Sequence, residues 1–198
     1  HTNSTQKENL KELYNKMMSI TFFVNVLLIS VLLIFTPIIS ILWIGHWEPI
    51  FVFSMLLLST SIFVNILIGP AYFSCVGEGN LNLILKSQIM IGILNLILGY
   101  VLGYYFSGKG VIVSWAISVA ISSFYLFYNY QKEKDIPLTN LFTKYNVILF
   151  FVSVLVTIFS FVLYDVFASY INNTWVLLGC YIIVTIVVFI PFISKNKD

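Results

Sequence analysis

Arginine is absent from this chain, and charged residues of either sign make up only 9% of its 198 positions. A soluble domain carries roughly a quarter charged residues, so a water-facing surface all round is excluded. With no arginine, nothing within these residues is expected to act as an Arg-rich transit peptide. Histidine is nearly missing: apart from His1 there is only His46, in a short outer loop beside Trp47 and Glu48, which is too little for a metal site built from several ligands. Of the two cysteines, Cys75 ends the second apolar run and Cys180 begins the sixth, so alternating passage through a membrane places them at opposite depths. A disulfide needs a Cα separation of roughly 4.4–6.8 Å, so both are expected to be free thiols. No carboxylate stands near the middle of an apolar run, which removes the usual sign of proton or sodium coupling. Asp165, at an outer helix end, and Glu78, in the Gly77-Glu78-Gly79 turn, are expected to be solvated. An enzyme would need a nucleophile, an acid–base pair or a metal cluster. The expectation is therefore of no catalytic residue, no cofactor and no metal, with no nucleic-acid partner.

What the sequence does have is apolar length. Hydrophobic residues make up 60% of the chain, with 18 Phe and 12 Tyr. Uncharged runs occupy 17–45, 49–77, 87–108, 110–131, 145–164 and 166–194. A helix crossing the hydrocarbon needs about 20 such residues. Backbone amides in lipid must be satisfied within their own segment, which favours helices for runs this long. The fold class expected is all-α: a multi-pass transmembrane helical bundle of about six spans. Four of these are expected at 18–44, 50–73, 87–106 and 111–128, within 18–130, and two more at 145–164 and 175–193, within 145–194. Residues 1–17 form a connector in which Leu10, Leu13, Tyr14 and Met17 recur at helical spacing among lysines and glutamates, as in an amphipathic helix on a membrane face. Residues 131–144 make a charged loop containing Pro137, and 195–198 a tail.

Lysine placement orients the bundle. Lys7, Lys11, Lys16, Lys86, Lys132, Lys134, Lys144, Lys195 and Lys197 fall on the side of the termini, and Lys109 alone on the other. Cytoplasmic loops collect lysine and arginine, so both termini are expected in the cytoplasm. The opposite side carries Trp43, Trp47, Tyr104, Tyr105, Tyr164, Tyr170 and Trp175, which suits an interfacial aromatic ring.

Inside the spans the polar residues are neutral and arranged on faces. Gln88, Gly92, Asn95, Gly99 and Gly103 share one side of the third segment, and Ser114, Ser118 and Ser122 are in register on the fourth. Gly92, Gly99, Gly103 and the three serines are candidates for close helix packing, with Gly99 and Gly103 forming a small-xxx-small pair. The bulkier amides Asn25, Asn65, Gln88 and Asn95 either pack between helices or line a hydrophilic cavity. Pro37 and Pro70 interrupt the first two spans, and each removes a backbone hydrogen bond and bends its helix.

The order of features from Gly69-Pro70-Ala71-Tyr72 to Lys134 resembles the polysaccharide flippases of the multidrug/oligosaccharidyl-lipid/polysaccharide exporter superfamily. The features are a long helix ending near Gly69-Pro70, the Gly77-Glu78-Gly79-Asn80 turn, and a helix carrying Gln88 and Ile93-Leu94-Asn95-Leu96-Ile97-Leu98. A tight turn Gly108-Lys109-Gly110 then leads into Val113-Ser114-Trp115-Ala116-Ile117-Ser118 and a lysine-rich loop. The chain departs from the family in having about six spans where members have twelve to fourteen, and Tyr104-Tyr105-Phe106-Ser107 where many have a longer proline-containing stretch. Together with a first residue that is not Met, the span count implies the C-terminal part of a MATE-like transporter. The resemblance implies flipping of undecaprenyl-linked oligosaccharide or polysaccharide repeat units, such as O-antigen units for lipopolysaccharide, across the bacterial cytoplasmic (inner) membrane. The implied partners are the bilayer, the lipid-linked glycan and polysaccharide assembly proteins. A multidrug exporter of the same superfamily, a permease subunit of another transporter, and an integral membrane glycosyltransferase or acyltransferase are the alternatives.

Overall fold

A computed structural model describes residues 2–136, 143–167 and 174–195. Pro137, Tyr170 and Lys197, which figured in the expected loop, aromatic ring and tail, lie outside the described residues. The order of elements is α1 (Thr2–Ile44), α2 (Pro49–Leu67), α3 (Gly69–Gly77), α4 (Leu81–Lys134), α5 (Lys144–Phe167) and α6 (Thr174–Lys195). The chain is an all-α, multi-pass membrane protein, and no strand occurs among the described residues. Leu10–Ile44, Pro49–Gly77, Leu81–Lys134, Lys144–Val166 and Thr174–Ser194 are long and apolar enough to cross a bilayer. Their outward faces carry large apolar side chains such as Leu28, Leu96, Leu155 and Val187, each at least 64% exposed. Lipid is the solvent that such a surface requires.

α4 is a folded-back element. Its 54 residues would extend about 80 Å if straight, against roughly 30 Å of hydrocarbon. Ser107 breaks it with φ 53° and ψ −139°. Arms 81–106 and 108–134 then run antiparallel: Ser114 Oγ donates to Asn95 Oδ1 at 2.8 Å, and Ser87 Oγ donates to the Ser122 carbonyl at 2.9 Å. The sequence places the reversal at Gly108-Lys109-Gly110, whereas the chain turns one residue earlier and those three are already helical. Gly110 permits this, because the first turn of the returning arm presses directly on the Leu102 carbonyl.

The chain divides into two units: His1–Asn25 with Thr60–Asn146, and Val26–Ser59 with Val147–Asp198. In the first, Tyr14, Met18, Ile68, Ala71, Cys75, Leu83, Ile84, Leu126, Tyr130 and Ile136 form one buried cluster. Residues 2–17 are helix continuous with the rest of α1, and Tyr14 is held in this cluster against Tyr130 with ring centroids 5.3 Å apart. The unit is cross-linked by Asn146, whose Nδ2 donates to Ser19 Oγ at 3.0 Å and to the Ser19 carbonyl at 3.2 Å.

In the second unit, Ser40 ties the turn after α1. Its hydroxyl donates to the His46 carbonyl at 3.0 Å and accepts from the Glu48 amide at 2.9 Å. Gly45 closes α1 with φ +90°, the left-handed geometry that favours glycine after a helix end. Trp47 stacks on Tyr164 at 4.8 Å, and the Tyr181 hydroxyl donates to the Ser160 carbonyl.

Candidate functional site

The expected second span is broken. α2 ends at Leu67, and α3 starts afresh at Gly69 after Ile68, which has φ −83° and ψ −2°. Pro70 causes little loss at this place, since the first turn of a helix has amides with no partner in the helix. α3 is nine residues long and closes in a turn where the Glu78 amide donates to Ser74 O and the Asn80 amide to Cys75 O. Pro37 differs: it lies fully buried inside an α1 that continues through it.

The break borders a cavity of about 610 Å³ within the first unit. Leu13 and Met17 of α1 and Pro70 and Phe73 of α3 give it apolar walls. A second cavity, of about 540 Å³, shares Leu10, Tyr14, Glu78 and Tyr130 with the first and adds Lys11, Glu133, Lys134 and Asp135. An apolar chamber and a charged chamber thus have one common wall.

That wall is organised by polar contacts between three elements. Lys134 Nζ lies 2.6 Å from a Glu78 carboxylate oxygen and 5.9 Å from the Tyr130 ring centroid. Asn80 Nδ2 donates to both oxygens of Glu133, at 3.2 and 3.3 Å, and Lys11 Nζ donates to the Asp135 carbonyl at 3.3 Å. Gln131 is buried; its Nε2 donates to the Tyr14 hydroxyl at 3.5 Å, while its Oε1 finds no described partner. Glu78 and residues 132–135 therefore do more than the solvated turn and plain connector expected of them.

The four amides proposed from sequence as cavity lining are placed elsewhere. Asn25 is buried, and its Nδ2 donates to the Phe63 carbonyl at 2.7 Å. Asn65 Nδ2 donates to Ser123 Oγ at 3.1 Å, and Asn95 accepts from Ser114. Gln88 is exposed. None of the four lines either cavity.

Among the packing candidates, Ser114, Ser118 and Ser122 are wholly buried. A Cβ at Gly99 would lie 3.2 Å from Ser114 Oγ, and one at Gly103 would lie 3.2 Å from Val111 Cγ2. Gly92 requires correction: it is exposed, and an added Cβ would meet nothing within 4 Å. Burial on this arm passes from Leu83, Ile84 and Ser87 to the contacts of Asn95, Gly99 and Gly103. The seam therefore slants across the helix, as packed helices do when they wrap about each other, and leaves Gln88 and Gly92 beside it.

No family model, no curated protein and no solved structure matches this chain.

The two chambers were not anticipated as a site, although their parts were visible. Leu10, Leu13, Tyr14 and Met17 were legible as an apolar stripe, and Glu78 and Lys134 as charges in turns. Nothing local says that residues so far apart in the chain share a wall. Outside this region, His46 Nε2 stands 3.4 Å from the Glu48 carboxylate on an exposed turn. No group of three or more metal-binding side chains is placed together among the described residues.

Proposed function

We propose that this chain is part of a translocase that flips lipid-linked oligosaccharide or polysaccharide repeat units across a bacterial cytoplasmic membrane, with both termini in the cytoplasm. The observation that carries this reading is the break at Ile68–Pro70, where a span stops, restarts and borders a cavity. Discontinuous helices in transporters line cavities and allow alternating access. The ordered series of sequence features described above supports the same reading, as does the nine-to-one division of lysines. The physical task is to carry sugar hydroxyls past hydrocarbon, at roughly 2–7 kcal/mol for each one left without a partner. A polar chamber opening in turn to each side removes that penalty while the lipid tail stays in the bilayer. Deleting the full-length gene tests the proposal: surface polysaccharide falls and lipid-linked repeat units accumulate on the cytoplasmic leaflet. Intact polysaccharide together with a changed tolerance to toxic compounds would instead mark a drug exporter.

A further inference from the structure

We infer that the paired chambers of the first unit hold a zwitterionic aminophospholipid, with an acyl chain in the apolar chamber and the headgroup in the charged one. This rests only on the membrane-spanning fold and on the juxtaposition of the two cavities, and holds whatever the protein transports.

The shape of the site is that of an amphiphile. At about 610 Å³ the apolar chamber falls within the range of roughly 300–1,000 Å³ typical of small-ligand sites. Leu13, Met17, Pro70 and Phe73 offer it hydrocarbon contacts, and Phe73 is 72% exposed. Leu13, Met17 and Phe73 are all exposed, so this lining is open to the hydrocarbon that a membrane-spanning fold meets. The second chamber adjoins it through Tyr14, Tyr130, Leu10 and Glu78, so a molecule lying across both must be apolar at one end and charged at the other.

The charges choose the headgroup. Lys11 and Lys134 provide two cations, while Glu78, Glu133 and Asp135 provide three carboxylates. Lys134 is already paired with Glu78 at 2.6 Å, which leaves Lys11 as the cation and Glu133 and Asp135 as the carboxylates open to a headgroup. A net negative headgroup is therefore repelled by the excess acid, and a purely cationic one leaves Lys11 without an anion. A phosphate joined to a primary ammonium satisfies both sets. The phosphate oxygens accept from Lys11 and from the Tyr14 hydroxyl, which already accepts from Gln131 and gives its hydrogen to no described residue. The ammonium donates to the carboxylates, of which Asp135 uses only its backbone carbonyl, toward Lys11. Hydrogen bonds between ionised partners are the strong ones, and a trimethylated nitrogen cannot make them.

The test is native mass spectrometry of the full-length protein in a mild detergent, titrated with phosphatidylethanolamine, phosphatidylcholine and phosphatidylglycerol of the same acyl chains. The expected order of retention is ethanolamine first, by about tenfold over choline for the lost charge-assisted bonds, and glycerol last. Glu133→Gln with Asp135→Asn should abolish the preference for ethanolamine over choline. Gly77→Leu, which fills open space beside the apolar chamber, should lower retention of every lipid alike. Equal retention of the three lipids by the unaltered protein, or a preference for phosphatidylglycerol, would overturn the inference without reference to how any variant folds. Lipid preference unchanged in the carboxylate variant would overturn it too.

Discussion

Gly110 stands so close to Leu102 that a Cβ at this position would lie 1.9 Å from the Leu102 carbonyl oxygen. A backbone atom cannot swing aside as a side-chain end can, so the two arms of α4 meet here only because Gly110 has no side chain. Gly110→Ala is expected to destabilise the hairpin by at least about 1–3 kcal/mol, the usual range for overpacking. Gly99→Leu and Gly103→Leu should also lower the amount of folded protein in the membrane, since each faces a neighbour at 3.2 Å. Gly92→Leu and Ile97→Leu should leave it unchanged. Membrane yield and thermal stability in detergent separate the two groups, and equal behaviour of all five variants would remove the close-contact account of the seam.

Ser107 gives a prediction of opposite sign. With φ 53° and ψ −139° it occupies a backbone region costly for any residue with a Cβ. Ser107→Gly is expected to stabilise the reversal by about 1 kcal/mol, seen as a raised melting temperature in detergent. A lowered melting temperature would mean that the serine side chain holds the turn.

Asn95 and Ser114 form a pair between the arms, with 2.8 Å from hydroxyl to amide oxygen. A double-mutant cycle through Asn95→Leu and Ser114→Ala is expected to return a coupling near 0.6 kcal/mol and no more than about 1.7, the scale measured for such bonds in membranes. Zero coupling would return Asn95 to the role of a cavity amide.

Topology can be read with reporters. The division of lysines puts fusions after Gly108 and Asn173 outside, and those after Lys134 and Lys197 inside. Alkaline phosphatase activity in the fusion after Lys134 would invert the proposed orientation.

The helical architecture was legible because long apolar runs leave the backbone little choice in lipid. Prolines mark where a helix could be interrupted but not which one breaks: α1 continues through Pro37, while a new helix starts beside Pro70. Pro70 falls in the first turn of α3, after Ile68 with φ −83° and ψ −2°, a boundary that the proline alone does not specify. The reversal in α4 is read one residue late from sequence, because Gly108-Lys109-Gly110 suggests an open loop whereas Gly110 is buried against Leu102. The amides were the least legible. Asn25, Asn65 and Asn95 look alike in sequence, and only the facing carbonyl or hydroxyl fixes what each one does. The chambers depend on three elements meeting, for which no local pattern exists.

The hydroxyls and amides of this chain impose different demands on its biogenesis. Ser30, Ser54, Ser118, Thr157 and Thr185 each donate to the carbonyl four residues earlier in their own helix. Such a segment can leave the translocon with those groups already satisfied, and they set no order of assembly. Asn95 must find Ser114, which emerges with the very next arm. Asn146 must find Ser19, 127 positions earlier, so Ser19 waits for this partner through the synthesis of α2, α3 and the whole of α4. Tyr14 is claimed sooner, by Tyr130 and Gln131 of α4, so a ribosome that stalls before α5 leaves a membrane intermediate in which Ser19 still lacks Asn146.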